Sequence, residues 1–288
     1  MPELPEVETM RRGILAAVGG TIVSIESCRC RRRPITIQPA LSVIRRRING
    51  AHVTDVRRVG KRVVICTSAG FVVIEPRMSG LVTIAEPPTR EHLRLRITLR
   101  NCALPEILFW DRRGLGVVRL MSPAQLEELS QTRLGPDALE ISADEFQDRF
   151  AGSRRPIKVA LLDQARLAGV GNLYASEILH RAGIDPRREC QRLTVPQWQR
   201  VHAAMRKVLQ DAIRHEGSTL ADGTYRNTLS QLGSYQAQHA VYDRKGEICD
   251  DCQRDTIVRI VQAQRSTFYC PTCQPATLRK GKALRRPQ

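Results

Sequence analysis

The sequence predicts an α+β protein of more than one domain. Short strand-like runs fill residues 21 to 120 behind one leading helix, helical periodicity takes over beyond residue 139, and two Cys-x2-Cys pairs follow near the C-terminus. A chain of 288 residues holds two modest domains or one large domain with an appendage. Its composition, 42% hydrophobic and 26% charged, is that of a soluble chain able to bury a core.

The leading helix is expected over residues 5 to 18. Pro5 suits a first-turn position, Glu6 and Glu8 complement the helix dipole, and Val7, Met10, Ile14, Leu15 and Val18 follow at helical spacing until Gly19-Gly20. The clearest strand is 93 to 99, where Leu93, Leu95, Ile97 and Leu99 alternate with Arg94, Arg96 and Thr98. The runs TIVSIE, RVVICT, FVVIE, LVTIA, EILFW and GVVRL, separated by Gly, Pro and Asn, indicate a β-sandwich or a barrel. Ser122-Pro123 opens a short helix, and LGPDAL at 134 to 139 reads as a hinge. Ser142 with Glu145, and Thr194 with Gln197, have capping-box spacing. After Thr194, the stripe Trp198, Val201, Met205, Val208, Leu209 and Ile213 reads as core packing. Residues 217 to 238 read as loop, and the basic stretch from 276 onward as a mobile tail. The expected domains are 1–135, 136–238 and 239–275, followed by the tail 276–288.

Charge narrows the function. Lys and Arg number 46 against 29 Asp and Glu, a net charge of +17, which calls for a polyanionic partner, nucleic acid or an anionic membrane surface. No run approaches the roughly 18 apolar residues of a membrane span. The opening MPELPEVE is acidic and proline-bearing, unlike a secretory signal, so the expected location is the cytoplasm, including the nucleoid.

Nine cysteines divide into two groups. Cys28, Cys30, Cys66, Cys102 and Cys190 are scattered, as reduced thiols are in a reducing compartment. Cys249-x2-Cys252-x17-Cys270-x2-Cys273 has the spacing of a closed tetrahedral zinc site, preferred over redox dithiols or an iron–sulfur cluster. Four thiolates leave no open coordination position, so the Zn2+ is expected to be structural, clamping a hairpin that carries Arg259 and Arg265. A second feature is the turn Ala168-Gly169-Val170-Gly171-Asn172 ahead of the helix LYASEILHRAG. Amides at a helix N-terminus favour phosphate, and Asn172 and Lys158 are placed to add donors; a plain helix–helix connector is the competing reading.

Taken in order, MPELPEVET, Lys61, Arg77-Met78-Ser79-Gly80, Asp111-Arg112-Arg113-Gly114-Leu115-Gly116, GVGNLYASEILHRAGIDP, VYDRKGEIC and QRSTFYCPTCQ resemble the formamidopyrimidine-DNA glycosylase family of bacterial 8-oxoguanine repair. The resemblance implies an N-terminal β-sandwich with a leading α-helix, a helix-two-turn-helix domain and a C-terminal zinc-finger hairpin. It implies a bifunctional glycosylase and abasic-site lyase acting as a monomer on double-stranded DNA that contains oxidised bases or abasic sites.

The resemblance also distributes roles. Removal of Met1 would leave Pro2 with a secondary α-amine, and α-amino groups titrate near 8, so a useful fraction is neutral and nucleophilic. Pro2 is implied to attack C1′ of the damaged nucleoside, with β,δ-elimination following. Glu3 matches the general acid/base, Glu6 stands one turn on to orient the amine, and Lys61 and Arg265 match proton-donor and phosphate-gripping positions. Met78, Arg113 and Leu115 match the trio that fills the void left by an extruded base. Arg154, Lys158 and Asn172 match DNA contacts, and a further contact falls on Arg90 or His92 depending on register.

Three departures stand out. Leu115 occurs where many members carry Phe, the loop TYRNTLSQLGSYQAQ differs from the usual capping segment, and Glu75 sits where relatives often carry a phosphate-contacting His. An acid at 75 is expected to repel DNA unless Arg77 compensates. Competing functions are a catalytically weak damaged-DNA-binding module and an endonuclease VIII-like glycosylase for oxidised pyrimidines. Retention of Pro2, Glu3 and Lys61 together favours the enzyme.

Overall fold

The computed structural model describes residues 2–220 and 222–276. The basic tail expected from 276 onward therefore lies, beyond Ala276, outside the described residues. The chain separates into two compact units, one made of residues 1–141, 163–171 and 205–239, the other of 142–162, 172–204 and the segment from 240 onward.

The first unit opens with helix α1 (Leu4–Gly13). It is shorter than its apolar spacing predicts. Thr228 crosses so close to Gly13 that a Cβ there would lie 1.9 Å from its hydroxyl, and the backbone tightens into a 3-10 turn at Leu15–Ala17. Strands β1 (Thr21–Ser27) and β2 (Thr36–Gln38) follow, then helix α2 (Leu41–Ile48). This helix is a correction to the all-strand expectation for 21–120: Ile44 and Ile48 bury one face while Arg45, Arg46 and Arg47 stay exposed. The remaining strands are β3 (Val53–Val59), β4 (Arg62–Thr67), β5 (Gly70–Glu75), β6 (Gly80–Thr83), β7 (Leu93–Arg100), β8 (Glu106–Asp111) and β9 (Val117–Met121), and helix α3 (Pro123–Glu128) closes the run.

The strands form two sheets, ordered β1-β7-β8-β6 and β2-β9-β5-β4-β3, antiparallel except for the parallel pair β2–β9. Period-2 alternation decides which residues face inward. Ile65 of β4, Ile74 of β5, Val118 of β9, Ile97 of β7 and Phe109 of β8 share one core with Val7 and Met10 of α1 and Ile44 of α2. Each such side chain contributes about 1.5–3 kcal/mol on burial. Residues 134–139, expected as a hinge, are instead fastened within this unit. Gly135 N donates to Gln164 O, Ala138 N donates to Ala168 O, and Asp137 accepts both terminal nitrogens of Arg58. Arg58 also reaches Glu8, where burial works to raise the carboxyl's pKa and the hydrogen bonds from Arg11 and Arg12 outweigh it, so the net shift is downward.

The second unit holds helices α4 (Ala143–Phe150), α5 (Ile157–Leu161) and α6 (Asn172–Ala182) and the first half of α7 (Val195–Arg214). Ser142 caps α4 by accepting from Glu145 N at 3.2 Å, as its spacing predicts. Phe146 meets Trp198 edge-on at 5.6 Å, and Phe150 stacks on the same ring at 6.2 Å. Helix α5 stops at Leu161, because Asp163 opens a turn that takes Arg166 N and Leu167 N on its carbonyl. Strands β10 (Val258–Gln262) and β11 (Arg265–Tyr269) make the expected hairpin.

Candidate active site

In the first unit, the N-terminal residues are locked by contacts far away in sequence. Glu3 caps α1, and its backbone N–H donates to the Glu6 carboxylate at 2.8 Å. Both acids are nearly inaccessible, at 4% and 3% exposure. The other Glu6 oxygen accepts from Ser218 N at 2.9 Å, and Gly217 is the only residue type that fits beside it, since a Cβ would lie 2.7 Å from that oxygen. Pro2 is buried beside Glu3. Leu4 N donates to Gly169 O at 3.1 Å, and Lys61 Nζ donates to Val170 O at 3.0 Å. The structure thus brings Glu3, Glu6, Lys61 and the 168–171 turn into one locality.

That turn has a packing role that the sequence reading did not assign. Its glycines are required by the N-terminal residues packed against them. A Cβ at Gly169 would lie 2.5 Å from Leu4, and one at Gly171 would lie 2.3 Å from the Glu3 carboxyl carbon. Two of its amides are already bonded inside the protein, Ala168 N to Pro136 O and Gly169 N to the Gln164 side chain. Gln164 also donates to Val170 O, so it braces the turn from both sides, a role with no local sequence signal. A Gly171→Ala variant is expected to displace the Glu3 carboxylate by the better part of an ångström. Base excision should fall roughly 100-fold, the size of loss that a 1 Å misplacement produces, while the melting temperature changes little. Steady-state excision rates beside thermal melting check this; full activity would show that the Glu3 position is not critical.

The loops bearing Met78, Arg113 and Leu115, the trio expected to fill a void, are joined by a buried acid. Asp111 has no exposed surface, and its carboxylate accepts from Ser79 Oγ at 2.6 Å, Arg113 N at 3.1 Å and Gly116 N at 2.7 Å. This fastens the Met78 turn to the loop bearing Arg113 and Leu115, leaving Met78 and Arg113 exposed and Leu115 half-buried. Asp111 and Ser79 lie within the Asp111–Gly116 and Arg77–Gly80 motifs, and their bracing role is visible only in the folded chain. His92 packs edge-on against Trp110 at 5.6 Å, whereas Arg90 is fully exposed and paired with Glu86. The loop after Gly217 is well packed: Tyr225 enters the sandwich core, and Thr228 O accepts from Ile84 N and the Thr83 hydroxyl.

The second unit gathers another set. Lys158 has no exposed surface, and its Nζ donates to Asn172 Oδ1 and, at 3.2 Å, to Ser266 O. Asn172 Nδ2 donates to the same carbonyl at 3.0 Å. Both side chains, expected to face phosphate directly, therefore hold the hairpin backbone next to the exposed Arg265. Arg154 is exposed in the segment before α5.

The four cysteines converge as their spacing predicts, with every pair of sulfurs within 4.8 Å. Cys249–Cys273 and Cys252–Cys270 are both 3.7 Å apart. Tetrahedral zinc with 2.3 Å bonds to sulfur demands an edge of about 3.8 Å. The donor set therefore fits a zinc ion of closed coordination. His180 Nε2 lies 3.6 Å from Cys249 Sγ, and the buried Glu177 carboxylate accepts three consecutive amides, Ala240, Val241 and Tyr242, at 2.8–3.0 Å.

Comparison with known proteins gives a consistent result. Residues 1–118 match the family model of the formamidopyrimidine-DNA glycosylase N-terminal domain, 134–223 match the formamidopyrimidine-DNA glycosylase H2TH domain, and 254–276 match a zinc finger found in FPG and IleRS. The formamidopyrimidine-DNA glycosylase of Chloroflexus aurantiacus is 38% identical over 95% of this chain and 98% of its own length. That of Bacillus subtilis is 34% identical over 95% of this chain and 99% of its own. The crystal structure of the Thermus thermophilus MutM (FPG) protein superposes with a TM-score of 0.81 at 34% identity, covering 95% of this chain and 98% of that one. A Lactococcus lactis FPG mutant in complex with DNA containing Fapy-dG superposes with a TM-score of 0.84 at 30% identity, covering 96% and 100%.

Proposed function

The chain belongs to the formamidopyrimidine-DNA glycosylase family, and from that premise we propose that it excises oxidised purines, 8-oxoguanine and formamidopyrimidines, through a Schiff base at Pro2. The observation that carries the reading is the packing of the N-terminus: Glu3, Glu6 and Lys61 are fixed around the residue that becomes a secondary amine once Met1 is removed. That amine forms a bond to C1′ as the base leaves, and Glu3 gives a proton to the ring oxygen O4′ as the C1′–O4′ bond opens. The resulting iminium acidifies the C2′ proton, so the 3′-phosphate and then the 5′-phosphate depart in β- and δ-elimination. Zinc takes no part in these steps; it holds the hairpin that presents Arg265.

Met78, Arg113 and Leu115 fill the gap left by the extruded nucleotide. Arg265, Arg154 and the half-buried Asn172 contact the backbone, Lys158 holds the Arg265 strand in place, and Arg90 or His92 adds a contact on the sandwich side. Catalysis is assigned to residues 1–135, DNA binding to 136–238 and the zinc finger to 239–275. The protein acts as a monomer on chromosomal DNA in the cytoplasm; no helix among the described residues is long and apolar enough to cross a membrane.

Borohydride reduction during reaction with a duplex carrying one 8-oxoguanine tests the reading. A covalent protein–DNA adduct is expected, with the modification mapping to Pro2. Absence of an adduct with a correctly processed N-terminus would sink the Schiff-base mechanism, and trapping confined to oxidised pyrimidines would move the substrate to the endonuclease VIII class.

A further inference from the structure

Outside the catalytic locality, the first unit contains a cavity of about 770 Å³ lined by five arginines, Arg47, Arg62, Arg77, Arg119 and Arg133, against two acids, Glu75 and Glu128. Glu128 is taken by Arg133 at 2.8 Å. Glu75, with only 10% of its side chain exposed, gathers three guanidiniums from separate segments: Arg62 Nε at 3.1 Å, Arg77 Nε at 2.9 Å and Arg119 Nη1 at 3.6 Å. The most distant of these from Glu75, Arg119, is steadied by the Gln38 side chain at 3.1 Å.

One carboxylate cannot neutralise three guanidiniums. Burial lowers the pKa of Arg62, and the neighbouring Arg77 and Arg119 push it down further, against the pull of Glu75. The contacts to Glu75 are made by the Nε of Arg62 and of Arg77, and a guanidinium carries four further N–H donors on its terminal nitrogens with which to meet a second oxyanion. The backbone adds an independent sign. Arg77 sits at φ 57°, the left-handed region that a residue with a Cβ adopts only under constraint. The tight turn closed by Gly80 N on Pro76 O places it next in sequence to the exposed Met78.

We propose that Arg62, Arg77 and Arg119 form a seat for backbone phosphate of the DNA substrate, and that Glu75 is the positioning residue that holds them. The proposal rests on the DNA-repair reading above. It extends the expectation that Arg77 compensates for an acid at position 75, adding Arg62 and Arg119 to the compensation.

The test is binding to a duplex containing a tetrahydrofuran abasic-site analogue, which cannot form a Schiff base, followed by fluorescence anisotropy across a salt series. Arg77→Gly and Arg119→Ser are each expected to raise Kd about fivefold and to reduce the log–log salt slope by roughly 0.9, the value of one phosphate contact. Arg77→Gly should melt no lower than the parent, because glycine relieves the left-handed backbone. Glu75→Gln should weaken binding as well. Parent-like Kd and slope in both arginine variants would overturn the seat, and tighter binding by Glu75→Gln would overturn the positioning role. Borohydride trapping of the parent on a cleavable duplex runs alongside. A parent that traps normally while the arginine variants bind like it overturns the seat and leaves the catalytic reading standing.

Discussion

One glycine inserted ahead of Pro2 is expected to abolish the borohydride-trapped adduct and lower base excision by at least about three orders of magnitude, while binding to an uncleavable duplex stays near the parent value. The insertion turns the proline nitrogen into an amide, whose lone pair is delocalised and cannot attack C1′. Glu3→Gln separates the two halves of the reaction. The carboxyl is 4% exposed and pressed against Gly171, so glutamine fits the same space but cannot exchange a proton. Excision of an intact damaged base should drop roughly 10²–10⁴-fold, the usual contribution of a positioned acid/base. A preformed abasic sugar has no base to expel, so trapping on it should survive. Single-turnover excision measured beside trapping on abasic DNA decides the point, and equal losses on both substrates would remove Glu3 from its assigned role.

Stripping the zinc is expected to be nearly as damaging, through structure alone. The finger's own core consists of Val241, Cys249, Ile257, Phe268 and Cys270, too little apolar surface to hold a fold without metal. Structural zinc supplies about 10–16 kcal/mol in small fingers. Cys273→Ser, or exhaustive chelation, should therefore unfold the β10–β11 hairpin. It should also release the Ser266 carbonyl that Lys158 and Asn172 grip, and with it the placement of Arg265. Zinc content is expected to fall from one ion per chain to none. Affinity for the tetrahydrofuran duplex should drop about 100-fold or more, and added zinc should restore it to the chelated protein but not to the variant. Metal-free protein that binds DNA like the parent would show that the hairpin folds and acts without its ion.

Much of this site was legible in the sequence, and the illegible part has a common cause. Pro2, Glu3 and Lys61, the Met78, Arg113 and Leu115 group, and the four cysteines are all identifiable from motifs. Their supports are not. Asp111, Gln164 and Ser218 act through hydrogen bonds to partners that no local sequence pattern specifies. Glu75 is the sharpest case: in sequence it is an unwelcome negative charge, and in space it is a carboxylate ringed by guanidiniums.

By itself, the sequence determined whatever depends on short repeats along the chain. The alternation of Leu93 to Leu99 sets a strand, Ser142 and Glu145 set a helix start, and paired Cys-x2-Cys turns set a zinc site, because each is fixed by geometry over two to four residues or by a metal's coordination number. Tertiary structure alone decided what the glycines of the 168–171 turn are for. They make room for Leu4 and Glu3, residues more than 160 positions away, a packing role for which the local pattern carries no signal. It likewise ended α1 at Gly13 through Thr228, folded α2 into a β-rich stretch, and buried Lys158 behind the strand it steadies. Such outcomes follow from which surfaces meet once the core collapses. Close packing there leaves no space for even one methyl group at Gly169 or Gly171.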